Sequence, residues 1–321
     1  MVWYLARRLV GTAALLVVVV VVTFGLIHLA PGDAAQTLAG QGGGDPEYLA
    51  TVRRSLGLDR PLLEQIGVYL ASVFRGDLGF SVLQGKPVLD VIVQRLPATL
   101  LLAGSSLVIS VGGGVVLGVL AAARERQRAD AAISTGALTL SSMPAFWVAQ
   151  VLVGLFAVRL GWLPTGGLRS PSAAPGALAT VLDVVRHLVL PAGVLSLVML
   201  GLIVRITRSS MIDVLHEDYV RVARSRGLSQ RRVLFRHALP NALRPVVTLA
   251  TAELGIVLTG TVLVEVVFSW PGLGTLLLDS VLSRDNPTLV GLLLFAGFVV
   301  AMANLLADVI YVAIDPRVSH R

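Results

Sequence analysis

"ATLLLAGSSLVISVGGGVVLGVLAAA", residues 98–123, runs for 26 residues without a charge, and "RERQRAD", residues 124–130, follows it with three arginines. A bilayer core about 30 Å thick is crossed by a helix of about 20 mostly apolar residues. The run is long enough to cross lipid, and the arginines mark the face where the chain returns to water. The whole chain agrees with that reading. Of its 321 residues, 55% are hydrophobic and 14% charged, against about 25% charged in a soluble domain. Mean hydropathy is +0.82. A surface so poor in charge cannot be solvated by water alone, so the solvent is lipid. No cysteine is present, which excludes disulfides, thiolate metal sites and cysteine nucleophiles.

Five further stretches are apolar enough to span: 9–30, about 131–158 with Met143-Pro144 inside it, about 187–204 with Pro191, about 246–268, and about 288–314. The first has Arg7 and Arg8 ahead of it, like a secretory leader, but its 22 residues exceed the usual 7–15, and Pro31-Gly32-Asp33 follows in place of a clear cleavage site. It is expected to remain as an anchor. Six spans place residues 1–8, the 124–130 turn, the 205–245 segment and the tail 315–321 on one side. The 205–245 segment alone holds nine arginines against Asp213, Glu217 and Asp218. On the other side, 31–97 balances Arg53, Arg54, Arg60, Arg75, Lys86 and Arg95 with seven acids. Positive residues stay cytoplasmic, so both termini are expected in the cytoplasm. The net charge of +7 is then largely topological, and no nucleic-acid partner is expected. The expected division is helix one with its N-terminus (1–30), an extracytoplasmic amphipathic segment (31–97), a five-helix core (98–314) containing the cytoplasmic loop 205–245, and a short tail.

Within that loop the pattern reads helix, break, helix. Asp218 to Arg226 forms a short helix with Tyr219, Val222 and Ala223 expected on one face, and Gly227 breaks it, since glycine enters left-handed backbone freely. Ser229 is placed to cap a second helix with stripes Leu234, Ala238, Ala242 and Phe235, Leu239, Leu243, ended or kinked by Pro240 and Pro245. A basic amphipathic helix on anionic headgroups is one reading. A knob that enters a groove on a cytoplasmic partner is the other, and the elbow favours it, because a helix lying flat needs no elbow.

The sequence contains no G-x-x-x-x-G-K-[ST] loop, its one lysine being Lys86, and its five histidines are scattered. Neither a usual ATP-phosphate cradle nor a metal or catalytic cluster is expected in it. Ionisable groups inside the membrane are costly and mark function. Glu253, Glu265 and Asp308 beside Asn304 qualify. Glu265 is either an interfacial carboxylate reaching water or a group at the translocation path or outer gate. Asp308 suits bundle packing or the cytoplasmic exit. Ser269-Trp270-Pro271-Gly272-Leu273-Gly274 reads as an aromatic-anchored turn with close backbone approach at Gly272 and Gly274.

"DYVRVARSRGLSQRRVLFRHALPNALRPVV" resembles the cytoplasmic loop of bacterial ABC importer permeases, and more closely that of their peptide/nickel branch. "GTVLVEVVFSWPGLG", "LGLDRPLLEQ", "GDLGFSV", "RLPATL" and "MPAFWVAQVLVGLFAVRLGWLPTGG" match the same branch in order, from about residue 5 to 317. The order of features suits the first of two permease subunits. The resemblance implies an all-α, six-transmembrane-helix type I ABC importer permease fold, with a small helical segment outside after helix one. It implies that the loop docks on an ATPase subunit, with Asp218, Tyr219, Arg221, Ala223, Gly227, Leu228, Phe235, His237, Leu239 and Pro240 carrying the contact. Arg221, Val222 and Ala223 stand at the family's Glu-Ala-Ala positions; the literal glutamate and first alanine are absent. Glu265, Trp270, Pro271, Gly272 and Gly274 fall at the translocation path or outer gate. Implied partners are a second homologous permease, two cytoplasmic ATPase subunits or domains that bind ATP and Mg, an extracytoplasmic binding protein, and lipid. The chain itself would hold no cofactor and catalyse nothing. The expected function is import of peptides or similar small solutes across the bacterial inner membrane; the alternative is a stand-alone secondary transporter or channel.

Overall fold

A computed structural model describes residues 14–25, 59–81, 83–171 and 174–314, with residues 11 and 50 besides, and the backbone alone for 251–260, 304 and 306–314. The described elements are almost all helical: α1 (Ala14–Gly25), α2 (Leu62–Val73), α3 (Val88–Ala123), α4 (Arg128–Ser142), α5 (Ala145–Leu152), α6 (Ala177–Leu215), α7 (Asp218–Ser225), α8 (Leu239–Gly260), α9 (Val262–Val267), α10 (Leu273–Leu282) and α11 (Asn286–Ile314). One two-residue antiparallel ladder, Phe80–Ser81 with Lys86–Pro87, joins α2 to α3. By length and composition, three helices among the described residues can cross a membrane, α3, α6 and α11, or four if a bent pair counts as one.

That pair is α4 and α5. The sequence places one span over 131–158; the two helices in fact meet at a 100° bend across Met143-Pro144. Proline supplies no N–H to continue the ladder, and Met143 adopts extended backbone as its neighbour requires. Beyond α5 the chain rewinds as a π-helix, Val153–Arg159. By contrast α6 passes through Pro191 without stopping, and its 39 residues give a rod about 58 Å long at ~1.5 Å per residue. The extra length carries Arg205 and Arg208 beyond an apolar core of about 20 residues.

The chain forms two compact units, one from residues 1–99 and 271–302, the other from 100–270 and 303–321. The first buries Val20, Ile66, Val88, Ile92, Leu276 and Leu292 in one cluster. A buried polar knot closes it: Ser81 Oγ donates to Asp285 Oδ2 at 2.5 Å, and Thr288 Oγ1 donates to the same oxygen at 2.7 Å. Asp285 stands just before α11 and so satisfies donors at that helix start.

The second unit is built on α6. A Cβ on Gly114 would lie 2.5 Å from Ile203 Cγ2, and one on Gly118 2.6 Å from Thr207 Cβ, so α3 meets α6 backbone to side chain. Across the rod, a Cβ on Gly201 would lie 2.7 Å from the Ala137 carbonyl of α4. Helices gain little from the hydrophobic effect within lipid, so small residues that permit such approach hold them together. Gly118→Val is expected to destabilise the detergent-purified protein by about 1–3 kcal/mol through overpacking, seen as a lower melting temperature. Gly112→Ala, where an added Cβ meets nothing within 4 Å, is expected to leave it unchanged; equal effects from the two would contradict this crossing.

Candidate functional site

The segment that joins α6 to α8 folds as the elbow its sequence announces. α7 ends at Ser225 with Arg226 after it, Gly227 takes φ +77°, and Gln230–Arg232 begins the return. Gly227 has open space around it, so its glycine serves the backbone angle and no close contact. Two details differ from expectation. Ser229 occupies the position before the second helix, yet its side chain makes no capping bond. Residues Val233–Ala238 wind as a π-helix.

The π-turn changes which residues face inward. Val233, Ala238, Ala242 and Val246 are buried, an interval of five and then fours, so Val233 takes the place the α-period assigns to Leu234. In α7 the buried pair is Val220 and Ala223, not Tyr219 and Val222. Val220, Ala223, Val233, Ala238 and Ala242 pack on Val119 and Ala122 of α3 and on Met211 and Leu215 of α6. The apolar root leaves Tyr219 (43% exposed), Val222 (49%) and Phe235 (54%) on the outer side.

The expected docking residues therefore divide. Asp218, Tyr219, Arg221, Gly227, Phe235 and Pro240 are exposed; Leu228, His237 and Leu239 are half-buried; Ala223 lies in the root. Arg221 pairs with Asp218 at 2.5 Å one turn away. Tyr219 Oη donates to the His237 carbonyl at 3.3 Å and accepts from Asn241 Nδ2 at 2.8 Å, tying α7 to the π-turn and to α8. Asn241 was not singled out by its sequence, which offers only "LPNALRP" around it.

Of the expected gate residues, Glu265 and Trp270 belong to the second unit and are fully buried. The Glu265 carbonyl accepts from Trp270 N at 2.8 Å, which closes the turn after α9. Burial removes the reading of Glu265 as a carboxylate at water. Gly166 and Gly167, unremarked as individual residues, lie on the same turn: Gly167 N–H donates to the Phe268 carbonyl at 2.7 Å, and a Cβ on Gly166 would collide with that oxygen. Pro271, Gly272 and Gly274 lie in the first unit, where Gly272 stands before α10 and Leu273 N–H donates to Thr99 Oγ1 at 2.7 Å. Glu253 and Asp308 lie where side chains are outside the description. Among the described residues no cluster of three metal-binding side chains occurs. Between α3 and α8 lies an open, aliphatic cleft of about 550 Å³, lined by Leu107, Val111, Val115, Leu243, Val246 and Val247 among others.

Comparison with known proteins agrees with this architecture. Residues 114–320 match the model for the binding-protein-dependent transport system inner membrane component, and residues 1–103 match the N-terminal model of such membrane components. A peptide transport system permease protein of Brucella abortus (strain 2308) is 39% identical over 314 residues, covering 98% of both chains. The dipeptide transport system permease protein DppB of Escherichia coli K12 is 37% identical over the full length of both. The glutathione transport system permease protein GsiC of Escherichia coli O6:H1 is 38% identical over 318 residues, 99% of each. Among solved structures, a chain of the MetNI methionine ABC transporter superposes with a TM-score of 0.56 at 17% identity, over 70% of this chain and 96% of that one. The fold is shared with that chain.

The Gly166 contact gives a direct test. Gly166→Val is expected to lift residues 160–170 from the Phe268 carbonyl and to speed tryptic cleavage after the exposed Arg169 severalfold in membrane vesicles. An unchanged digestion rate would contradict the packing described.

Proposed function

The chain belongs to the family of inner-membrane components of binding-protein-dependent transport systems, and from that premise we propose that it is one of two permease halves of an ATP-driven importer for peptides or similar small solutes. In this reading two cytoplasmic ATPase subunits or domains hold ATP and Mg, a separate binding protein delivers cargo outside, and this chain performs no catalysis. The elbow 218–240 faces the cytoplasm with both termini, and the ATPase grips it. Closing the ATPase pair would move the elbow, and α6 would carry that motion across the membrane as alternating access.

One observation carries the proposal: the elbow has a locked face and an open one. Val220, Ala223, Val233 and Ala238 are buried against the ends of α3 and α6. Tyr219, Val222 and Phe235 are exposed outside that seam. Aromatic groups that enter a partner's pocket dominate interface energies, and a rigid root lets force pass through them. The arginines around the ridge supply a polar rim. A helix lying on headgroups would instead turn its apolar ridge into lipid, and the elbow's apolar seam is already filled by this chain.

The aliphatic cleft between α3 and α8 fits the same division of labour. Its lining is almost wholly apolar, so it offers no charged group to a peptide's termini. Selection of cargo then rests with the binding protein, and relatives named for dipeptide and for glutathione transport accord with that.

Phe235→Asp is expected to weaken ATPase association at least thirtyfold, the equivalent of about 2 kcal/mol at an interface hot spot, while the protein still inserts in the membrane. Co-purification from membranes measures it. Retention of the ATPases by this variant would remove the docking assignment. Robust ion-coupled uptake by the purified chain alone in proteoliposomes would favour a stand-alone transporter instead.

A further inference from the structure

Asp130 is an acidic residue in the first turn of α4, only 4% exposed, a costly position for a carboxylate unless every lone pair is used. Here they are used. Oδ1 accepts from Arg208 Nε at 2.5 Å and from Ser134 Oγ at 3.3 Å. Oδ2 accepts from Arg208 Nη2 at 2.8 Å and from the Arg126 backbone N–H at 3.0 Å. Arg126 itself holds φ +63°, an unfavourable angle for a side-chain-bearing residue, so the turn between α3 and α4 is fixed around this carboxylate. The two-pronged guanidinium contact sets orientation as well as distance, which a lysine could not do.

The position of this contact matters as much as its strength. Arg208 lies one turn before Met211, which belongs to the apolar root of the elbow. At that end α4 is therefore bonded to the same stretch of α6 on which the elbow sits. Farther along, α4 touches α6 at Gly201 by close packing against Ala137 and Ser141. The polar pair adds a fixed register to that packing, since a shift of an ångström or two breaks both prongs. At its other end α4 meets α5 through the 100° bend at Met143-Pro144. Val148 and Ala149 of α5 are buried, and α5 packs on α9, the helix that carries Glu265.

We propose that Asp130 and Arg208 are positioning residues for transport: they pin α4 to α6, so that motion of the elbow drives α4 and, through its bend, the α5–α9 contact. In this role α4 is a connecting rod between the docking segment and the turn that encloses Glu265. The inference rests on the ATP-driven reading given above.

The chain has no cysteine, so Ser269→Cys places one thiol in this subunit, on the exposed turn after α9. The full complex, with both permeases, both ATPases and the binding protein, is reconstituted in proteoliposomes. Labelling of that single thiol by a membrane-impermeant maleimide is followed in this subunit with and without ATP plus vanadate. Into this parent are placed Arg208→Lys and, to avoid a lone buried charge, the paired change Asp130→Leu with Arg208→Met. The paired variant is expected to recruit the ATPases and to hydrolyse ATP within twofold of the parent. Its nucleotide-dependent change in labelling rate is expected to fall at least fivefold, and Arg208→Lys to lie between. A full labelling response in the paired variant overturns the proposal. Loss of ATPase recruitment overturns it too, since the pair then merely holds the elbow in shape. A parent complex that shows no nucleotide response at all would instead sink the ATP-driven reading.

Discussion

Everything in the second compact unit depends on how closely α6 is approached by its neighbours. In lipid an aliphatic side chain gains almost nothing by leaving a fatty tail for another helix, so contact must come from fit. Gly114 and Gly118 let α3 reach Ile203 and Thr207, and Gly201 lets α6 reach α4. A 39-residue helix held on two sides at its backbone can transmit a push; one surrounded by mobile lipid would tilt instead. The root of the elbow then has something firm to stand on.

The sequence was most legible where one physical rule acts alone. Long apolar runs gave the cores of α3, α6 and α11, because lipid tolerates few charges over that length. Gly227 gave the elbow because a φ of +77° leaves little choice of residue. The proline at 144 announced an interruption, but a missing N–H fixes no angle, and the size of the bend, 100°, had to come from the structure. Family resemblance carried the reading further than periodicity could, to a permease fold that the comparisons support over the whole length.

Legibility failed where geometry departs from a repeat or joins distant residues. The α-period put Leu234 on the inner stripe; the π-turn of 233–238 seats Val233 there. Pro240 explains why such a turn is tolerated, since it cannot donate to the Arg236 carbonyl and the ladder before it is already open. Glu265 read as a carboxylate near water or near a path, and only its surroundings could reveal full burial. Asp130 and Arg208 stand 78 residues apart. Each alone resembled any other charge of the arginine-rich loops, and nothing local marks the pair.

In the docking role proposed above, the elbow must satisfy two demands that a single straight helix cannot. Toward its own chain it has to be fixed relative to α3 and α6; toward the proposed partner it has to offer an apolar ridge that no part of its own chain covers. A straight amphipathic helix has one apolar stripe, and whichever surface takes it leaves the other demand unmet. Folding back at Gly227 gives two short arms whose inner residues, Val220 with Ala223 and Val233 with Ala238, share one buried seam. Tyr219 locks the arms through His237 and Asn241 while part of its ring stays exposed. The left-handed glycine and the widened turn thus produce two apolar faces from one short segment, which is why its chemistry resembles neither a core helix nor a surface one.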